Sequence, residues 1–287
     1  MPTRRERPPG FFWVLRQLVV RYFRHQVGRS AAELSYYLLF SLFPFLIFLN
    51  AVISMLHLSL EDIVHGLGGV VLPAQAAELL STYLSYIQGL DTRVLLYACL
   101  FLTFYAVSRS VRSLTRAVST AYQIPHQGPA NAVLSAIFTV LLLLSILALL
   151  VLLMISENLL RQLDNYITVP EFLLRIWNIL RLAVGPVLLC LLLTCFYFGV
   201  GYGRYRFWQA LPGAAFAVVV WFLVTSGFSY YMGHVSRYSI IYGSLAAIMM
   251  LMLWFYLTGA VLILGGELNH ILIQLRRERL EHQGGAL

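Results

Sequence analysis

Three arginines in one segment are spaced so that they would share a face of a helix. Arg109, Arg112 and Arg116 stand at i, i+3 and i+7 in a run otherwise made of serine, threonine, valine and leucine, and this spacing puts side chains next to one another on an α-helix. A guanidinium is a planar fork that can hold phosphate through two hydrogen bonds. The row therefore predicts contact with anionic lipid headgroups. The alternative is the ordinary positive charge that occurs beside most cytoplasmic helix ends, which needs no specific ligand.

A polar stripe begins at a carboxylate where the first long apolar segment starts. Glu33, Tyr37, Ser41 and Pro44 follow one another at i, i+4, i+8 and i+11, so they predict one polar, kink-prone stripe along a helix. Two interpretations of Glu33 stay open. It lines a hydrated cavity, with Tyr37 beside it, and binds a cation or proton; or it lies among the headgroups and pairs with a neighbouring arginine.

The other polar residues form no local catalytic or metal-binding motif. None of the 7 histidines has a second histidine within five residues, and the aspartates are isolated apart from Asp62 beside Glu61. Helical zinc motifs and two-metal centres need such clusters. Gly199, Gly201 and Gly203 form a glycine-rich loop, but no predicted strand precedes it and no lysine is available for a phosphate loop. We predict no enzyme activity, cofactor or metal, although a site assembled from separate helices would leave no local motif.

The composition defines the elements that must hold these residues. Of the 287 residues, 60% are hydrophobic and only 11% are charged, whereas about a quarter of a soluble chain is charged. Five stretches without Asp, Glu or Arg each exceed the roughly 20 residues that cross a bilayer as a helix. They are 34–60, 117–156, 182–203, 207–236 and 238–266. The chain is therefore predicted to be a polytopic membrane protein, which excludes the secreted, fibrous and disordered classes.

We predict an all-α fold with six transmembrane helices and additional interfacial amphipathic helices. The spans lie at about 34–56, 92–108, 131–155, 177–198, 209–232 and 241–265. The second span is the shortest, and arginines at its two ends, Arg93 and Arg109, would have to snorkel towards the headgroups. Between the first two spans, Pro73 can start a further helix at the membrane surface.

The arginines indicate the orientation of these spans. All 20 basic residues are arginine, and most fall in the first tail, in the segments 109–130 and 199–210, or after Gly266. By the positive-inside rule both termini are cytoplasmic. Because the charge that gives the net +8 lies between apolar spans, we expect membrane lipids as partners and no nucleic acid.

Three regions are predicted along the chain. Residues 1–29 are a basic, amphipathic, cytoplasmic segment, 30–272 form the membrane domain, and 273–287 are a cytoplasmic tail. In the first region Leu15, Leu18 and Tyr22 recur on one helix face while Arg21 and Arg24 take another. This helix either lies in the headgroup region or packs on the body of the protein.

Four residues near the end of the chain are predicted to serve the structure. Gly213 and Gly243 each precede an alanine by four residues, a spacing that lets helices approach closely. Glu267 and Asn269 close the final helix with polar side chains. Packing explains the small residues better than a pore does.

Five segments taken together resemble the YihY/BrkB family of inner-membrane proteins. In order they are 31–44 (AAELSYYLLFSLFP), 108–112 (SRSVR), 210–214 (ALPGA), 242–245 (YGSL) and 265–269 (GGELN). The resemblance covers about residues 28 to 272, with departures at Ala246 and Gly266. It implies a multi-pass protein of the bacterial inner membrane, in a family linked to serum resistance and virulence and formerly labelled ribonuclease BN. It also implies, through some relatives, movement of lipids or lipopolysaccharide precursors, and it supplies no catalytic residues.

Three functions are therefore considered. The first is a transporter-like protein that binds or moves an amphipathic anionic lipid or envelope precursor, using Arg109, Arg112, Arg116, Glu33 and Tyr37. The second is a non-transporting membrane scaffold linked to envelope integrity or virulence, in which the charges only fix the topology. Ribonuclease activity is the third and has the least support from the residues.

Overall fold

The computed structural model describes residues 11–55, 93–124, 128–166, 171–234 and 244–284. These ranges contain seven helices and no strand, so the predicted all-α class is confirmed. The helices are α1 (Phe11–Arg24), α2 (Val27–Met55), α3 (Arg93–Ala121), α4 (Gly128–Tyr166), α5 (Glu171–Val200), α6 (Phe207–His234) and α7 (Ser244–Gly284). The predicted surface helix after Pro73 and the predicted packing residue Gly243 lie outside the described residues.

Five helices of the described chain are long and apolar enough to cross a membrane. The qualifying stretches are Val27–Leu49, Ala130–Leu149, Ala183–Val200, Phe207–Met232 and Ala246–Glu278. They match five of the six predicted spans. The remaining predicted span, 92–108, lies in α3, which is 29 residues long and carries four arginines. At 1.5 Å per residue α3 extends about 43 Å, which exceeds the roughly 30 Å of a hydrocarbon core.

Consecutive membrane helices run antiparallel and bring several polar loops to one end of the bundle. At this end α3 and α5 finish and α4 and α6 begin. Tyr202, which follows α5, donates a hydrogen bond to Asn131 near the start of α4. Arg277, late in α7, lies over the ring of Tyr205 with 5.9 Å between its Cζ and the ring centroid. We call this the arginine end of the bundle.

Helices α6 and α7 make a close contact that leaves no room for a side chain. A Cβ atom on Gly213 would stand 2.2 Å from the carbonyl oxygen of Gly265. The buried amide of Asn269 fills the polar gap beside this contact. It accepts a hydrogen bond from the Gly213 N–H (2.7 Å) and donates to the Ala210 carbonyl (2.9 Å). Because a buried amide is costly unless it is bonded, these partners fix the register of the two helices.

Replacing Gly213 with alanine should therefore destabilise the protein. The new methyl group would force α6 and α7 apart, and overpacking of this kind costs about 1–3 kcal/mol. Gly227→Ala on the same helix is the matched control, because a Cβ there has nothing within 4 Å. Thermal unfolding of the detergent-purified chain should show a lower melting temperature for Gly213→Ala only. Equal melting temperatures in the two variants would contradict the close contact.

The N-terminal helix α1 lies against the last turns of α7. Leu18 is buried with Ile271 and Leu275 in a small apolar cluster. The opposite face of α1 leaves Phe12 and Phe23 exposed, by 83% and 74%. The helix thus packs on the body of the protein by one face and presents large apolar side chains on the other.

A fully buried carboxylate holds α1 in this position. Glu267 of α7 contacts Arg21 (Nη1 to Oε2, 3.3 Å) and His25 (Nδ1 to Oε1, 2.5 Å). Arg21 also donates to the side chain of Gln274 at 2.7 Å. The sequence pattern places Arg21 on a different face from Leu18 and leaves the surroundings of that face open; the structure turns Arg21 towards α7. The physical reason is that a buried carboxylate requires a cationic partner.

Glu267→Gln should loosen α1 from the body of the protein. Removing one partner of a buried ion pair costs about 3 kcal/mol, and here two basic groups would lose their carboxylate. Limited trypsin digestion should cut the variant faster at the arginines of α1. Glu278→Gln is the control, because Glu278 is exposed on the same helix. If both variants are cut at the same rate, Glu267 does not hold α1.

Candidate functional site

Helices α2 and α3 pack side by side and place the polar residues of the sequence motifs at their seam. The two helices meet through buried side chains such as Leu34, Val107 and Val111. The Ser110 hydroxyl reaches the Leu34 carbonyl at 3.5 Å. Residues three and four apart share a helix face, so Val107 and Val111 belong to the buried face of α3. Arg109 and the arginines that follow it lie beside this buried face.

Two contacts across the seam join the arginines to the predicted stripe of α2. Arg109 donates from Nη2 to the Tyr37 hydroxyl at 2.9 Å, and its Cζ lies 5.2 Å from the centroid of the same ring. Arg116 pairs with Glu33, with 2.5 Å between Nη2 and Oε1. The side chains of Arg116 and Glu33 remain 45% and 40% exposed. The carboxylate is thus paired with an arginine, as in the second interpretation of its sequence position.

Arg112 stands between these two pairs, and its hydrogen-bonding capacity is not filled. Its Nε is buried and has no hydrogen-bond partner among the described residues. We call Glu33, Tyr37, Arg109, Arg112 and Arg116 the polar seam. The seam holds three guanidinium groups and one carboxylate, so it carries an excess of positive charge, and each guanidinium has five donors to offer.

The seam lies on the outer surface of the bundle, beside exposed aromatic side chains. On α3 the face that carries the arginines begins with Tyr97, Phe101 and Tyr105, all largely exposed. On α2 the exposed neighbours are Tyr36 and Phe40. Tyr105 is not among the predicted site residues, although its i, i+4 spacing to Arg109 indicates that it shares the arginine face.

The packing of α3 on α4 shows which part of α4 is level with the arginines. The hydroxyls of Thr115 and Ser135 are 3.2 Å apart, so these two residues are level. Arg109 is six residues earlier on α3, or about 9 Å farther from the arginine end. On the antiparallel α4 this is the level of about residue 141, near the middle of the apolar stretch Ala130–Leu149.

Two residues of the predicted stripe do not face the seam. Ser41 is buried and donates its hydroxyl to the Leu38 carbonyl of its own helix at 2.8 Å. Pro44 is buried inside α2. The four residues of the stripe thus separate into a pair that contacts the arginines, Glu33 and Tyr37, and a pair enclosed by packing.

The described residues contain no metal-ligand cluster. No three side chains of His, Cys, Asp or Glu within the described ranges lie close enough together to hold a metal ion. The chemistry of the polar seam is that of guanidinium, phenol and one carboxylate. Such a set can bind an anion and exchange a proton.

Comparison with known proteins identifies relatives along most of the chain. The family model described as Virulence factor BrkB matches residues 18–286. Ribonuclease-like protein YfkH of Bacillus subtilis (strain 168) is 31% identical over 260 residues, which cover 90% of this chain and 94% of the relative. No solved structure matches the chain.

Shorter matches come from proteins named as membrane proteins. A UPF0761 membrane protein of Pseudoalteromonas translucida (strain TAC 125) is 42% identical over 66 residues, which are 23% of this chain and 22% of the relative. A UPF0761 membrane protein of Xanthomonas campestris pv. campestris (strain B100) is 38% identical over 92 residues, 32% of this chain and 21% of the relative. These two matches thus span less than a quarter of each relative. With apolar spans in the structure and a family match over nearly the whole chain, the protein is an integral membrane protein and belongs to the Virulence factor BrkB family.

Proposed function

We propose that the protein binds an anionic, phosphate-bearing lipid at the polar seam and moves it across the bacterial inner membrane. The observation that carries the proposal is the depth of the arginines. The row extends from Arg116, near the arginine end, to Arg109, level with the middle of the apolar stretch of α4. Ionisable residues at such depth are costly and mark substrate or ion pathways.

The open position of the seam favours a lipid over a small ion. A lipid has a charged headgroup and two apolar tails, and a seam on the outer surface lets the headgroup contact arginine while the tails stay among other lipids. The exposed aromatic side chains of Tyr36 and Phe40 beside the seam suit those tails. Arg109 and Arg116 each keep free donors after binding Tyr37 and Glu33, so phosphate can be added without breaking the pairs.

The orientation follows from the distribution of arginine. The positive-inside rule places the arginine end, with both chain termini, in the cytoplasm. A headgroup that enters from the cytoplasmic leaflet would then meet Arg116 first, Arg112 next and Arg109 last.

Arg109→Gln with Arg112→Gln should abolish the movement of anionic lipid. The double variant removes two positive charges and leaves Glu33 paired with Arg116. Scrambling of a fluorescent phosphatidylglycerol in proteoliposomes, followed by dithionite quenching, should fall at least tenfold, since each lost charge-assisted contact is worth about 1.5–3 kcal/mol. Retention of phosphatidylglycerol by the purified protein, measured by native mass spectrometry, should fall with it.

The matched control is Arg24→Gln with Arg29→Gln, which removes the same charge from exposed positions outside the seam. This control should scramble lipid like the unmodified protein. Wild-type flux in the seam variant, with normal insertion and melting temperature, would overturn the proposal. Absence of flux above protein-free vesicles in the unmodified chain would favour the scaffold function instead.

The name of the relative YfkH makes ribonuclease activity a second candidate. The 31% identity over 260 residues is the observation that favours it. We expect no RNA cleavage by the detergent-purified chain beyond that of a mock purification, with or without added magnesium. Metal-dependent cleavage that co-purifies with the chain through a second affinity step would establish the nuclease function.

A further inference from the structure

A second basic surface lies at the arginine end, where the loop between α5 and α6 meets the last turns of α7. Arginines of both segments line one groove of about 390 Å³. They are Arg204, Arg206, Arg276 and Arg277, which we call the arginine groove. Its volume falls within the range of sites that hold small organic ligands, about 300–1,000 Å³.

The local sequence explains why the loop arginines reach α7. Tyr202 and Gly203 have positive φ values of 47° and 73°, and this left-handed backbone turns the chain sharply between the two helices. The side chain of Gln209 then accepts a hydrogen bond from the Arg206 N–H at 2.9 Å, which caps the start of α6. The backbone of the loop is therefore held in a defined shape, and its two arginines line the groove.

The groove gathers positive charge without a compensating carboxylate. Its lining contains four guanidinium groups and no Asp or Glu. Within the described part of the chain, none of the four forms an ion pair. Like charges held together repel one another, and a bound anion would remove this cost.

The charges of two groove arginines also affect the pKa of Tyr205. Burial raises the pKa of Tyr205, while the charges of Arg277 and Arg204 act in the opposite direction. The phenol is neutral near pH 7 and can donate a hydrogen bond. Tyr205 also supports Arg277, whose guanidinium lies over its ring.

The position of the groove indicates the kind of anion. The apolar stretch of α6 begins at Phe207, directly after the loop, and Trp208 is 76% exposed. Tryptophan is favoured at the depth of the lipid headgroups, so the groove lies just outside the hydrocarbon. The groove is separate from the polar seam. Gly266 of α7 packs against Val118 of α3, two residues after Arg116, so Gly266 marks the level on α7 where the seam ends. Arg277 of the groove is eleven residues farther along α7, which is about 16 Å.

We propose that the arginine groove binds a phosphate group with two negative charges. A phosphomonoester lipid headgroup and a soluble phosphate compound share this chemistry. The site goes beyond the function proposed for the seam, because it uses different residues on different helices and does not require lipid movement.

Titration of the full-length, delipidated chain in a non-ionic detergent tests the site. The probes are inorganic pyrophosphate, short-chain phosphatidic acid and, as a neutral reference, short-chain phosphatidylcholine, each measured by isothermal titration calorimetry. Arg204→Gln with Arg276→Gln should weaken binding of the phosphate probe at least tenfold. Arg16→Gln with Arg24→Gln, which removes two exposed arginines from α1, should change it less than twofold.

The two phosphate probes separate the sources of the ligand. Binding of phosphatidic acid alone identifies a lipid headgroup, and comparable binding of pyrophosphate identifies a soluble compound; either supports the site. Equal affinities of the groove variant and the α1 control for both probes, at unchanged melting temperature, would overturn it, as would absence of binding to both in the unmodified chain. The Arg109→Gln, Arg112→Gln variant should bind pyrophosphate normally, so a failure of the seam proposal and a failure of the groove proposal give different results.

Discussion

The cost of placing charge beside apolar helices governs this structure. A guanidinium at the depth of a bilayer core is costly by several kcal/mol unless it is paired or reaches water. Arg109 meets this cost by binding the Tyr37 hydroxyl and stacking on its ring, and Arg116 meets it by pairing with Glu33. Both contacts depend on the antiparallel register of α2 and α3. The arginine row is therefore stable only when these two helices pack in this register.

The same residue types serve two purposes because their proportions and their burial differ. Around Glu267 a fully buried carboxylate is enclosed by Arg21 and His25, so the charges are matched and fasten α1 to α7. In the polar seam three guanidinium groups accompany one half-exposed carboxylate, which pairs with Arg116. A closed, balanced cluster has a structural role, whereas an open cluster with surplus donors can still bind a ligand. This difference leads us to place binding at the seam and not at Glu267.

The sequence predicted the helices well because each apolar run must bury its own backbone polar groups as a helix in lipid. It also predicted that the arginines share a face, since that follows from spacing alone. It did not predict that α3 continues unbroken from Arg93 through the arginine row to Ala121. The charge of Arg109 predicts the end of a span there, whereas the helix continues past that point and its arginines pair with side chains of α2.

Contacts between distant segments could not be derived from the sequence. Glu33 and Arg116 are 83 positions apart in the sequence, and Arg21 and Glu267 are 246 positions apart. The periodicity within one helix contains no information on the register between two helices. For the same reason the stripe from Glu33 to Pro44 looked uniform. Ser41 satisfies its hydroxyl on its own helix and Pro44 is buried, so only Glu33 and Tyr37 of this stripe contact the arginines.

The face of α3 changes character at Arg109, and this limits how a headgroup could move along it. From Arg116 to Arg109 the face offers guanidinium groups, whereas from Tyr105 to Tyr97 it offers exposed aromatic rings. The first half can hold a phosphate through charge-assisted hydrogen bonds, whereas the segment from Tyr97 to Tyr105 contains no cation. If the seam moves lipid, the arginines stabilise the headgroup only to mid-depth, and the step beyond Arg109 needs water or a change in helix packing. The site that binds the headgroup most strongly is then next to the highest barrier to its movement. Substitution of Arg109 should therefore change the affinity for the lipid and the rate of its movement to different extents.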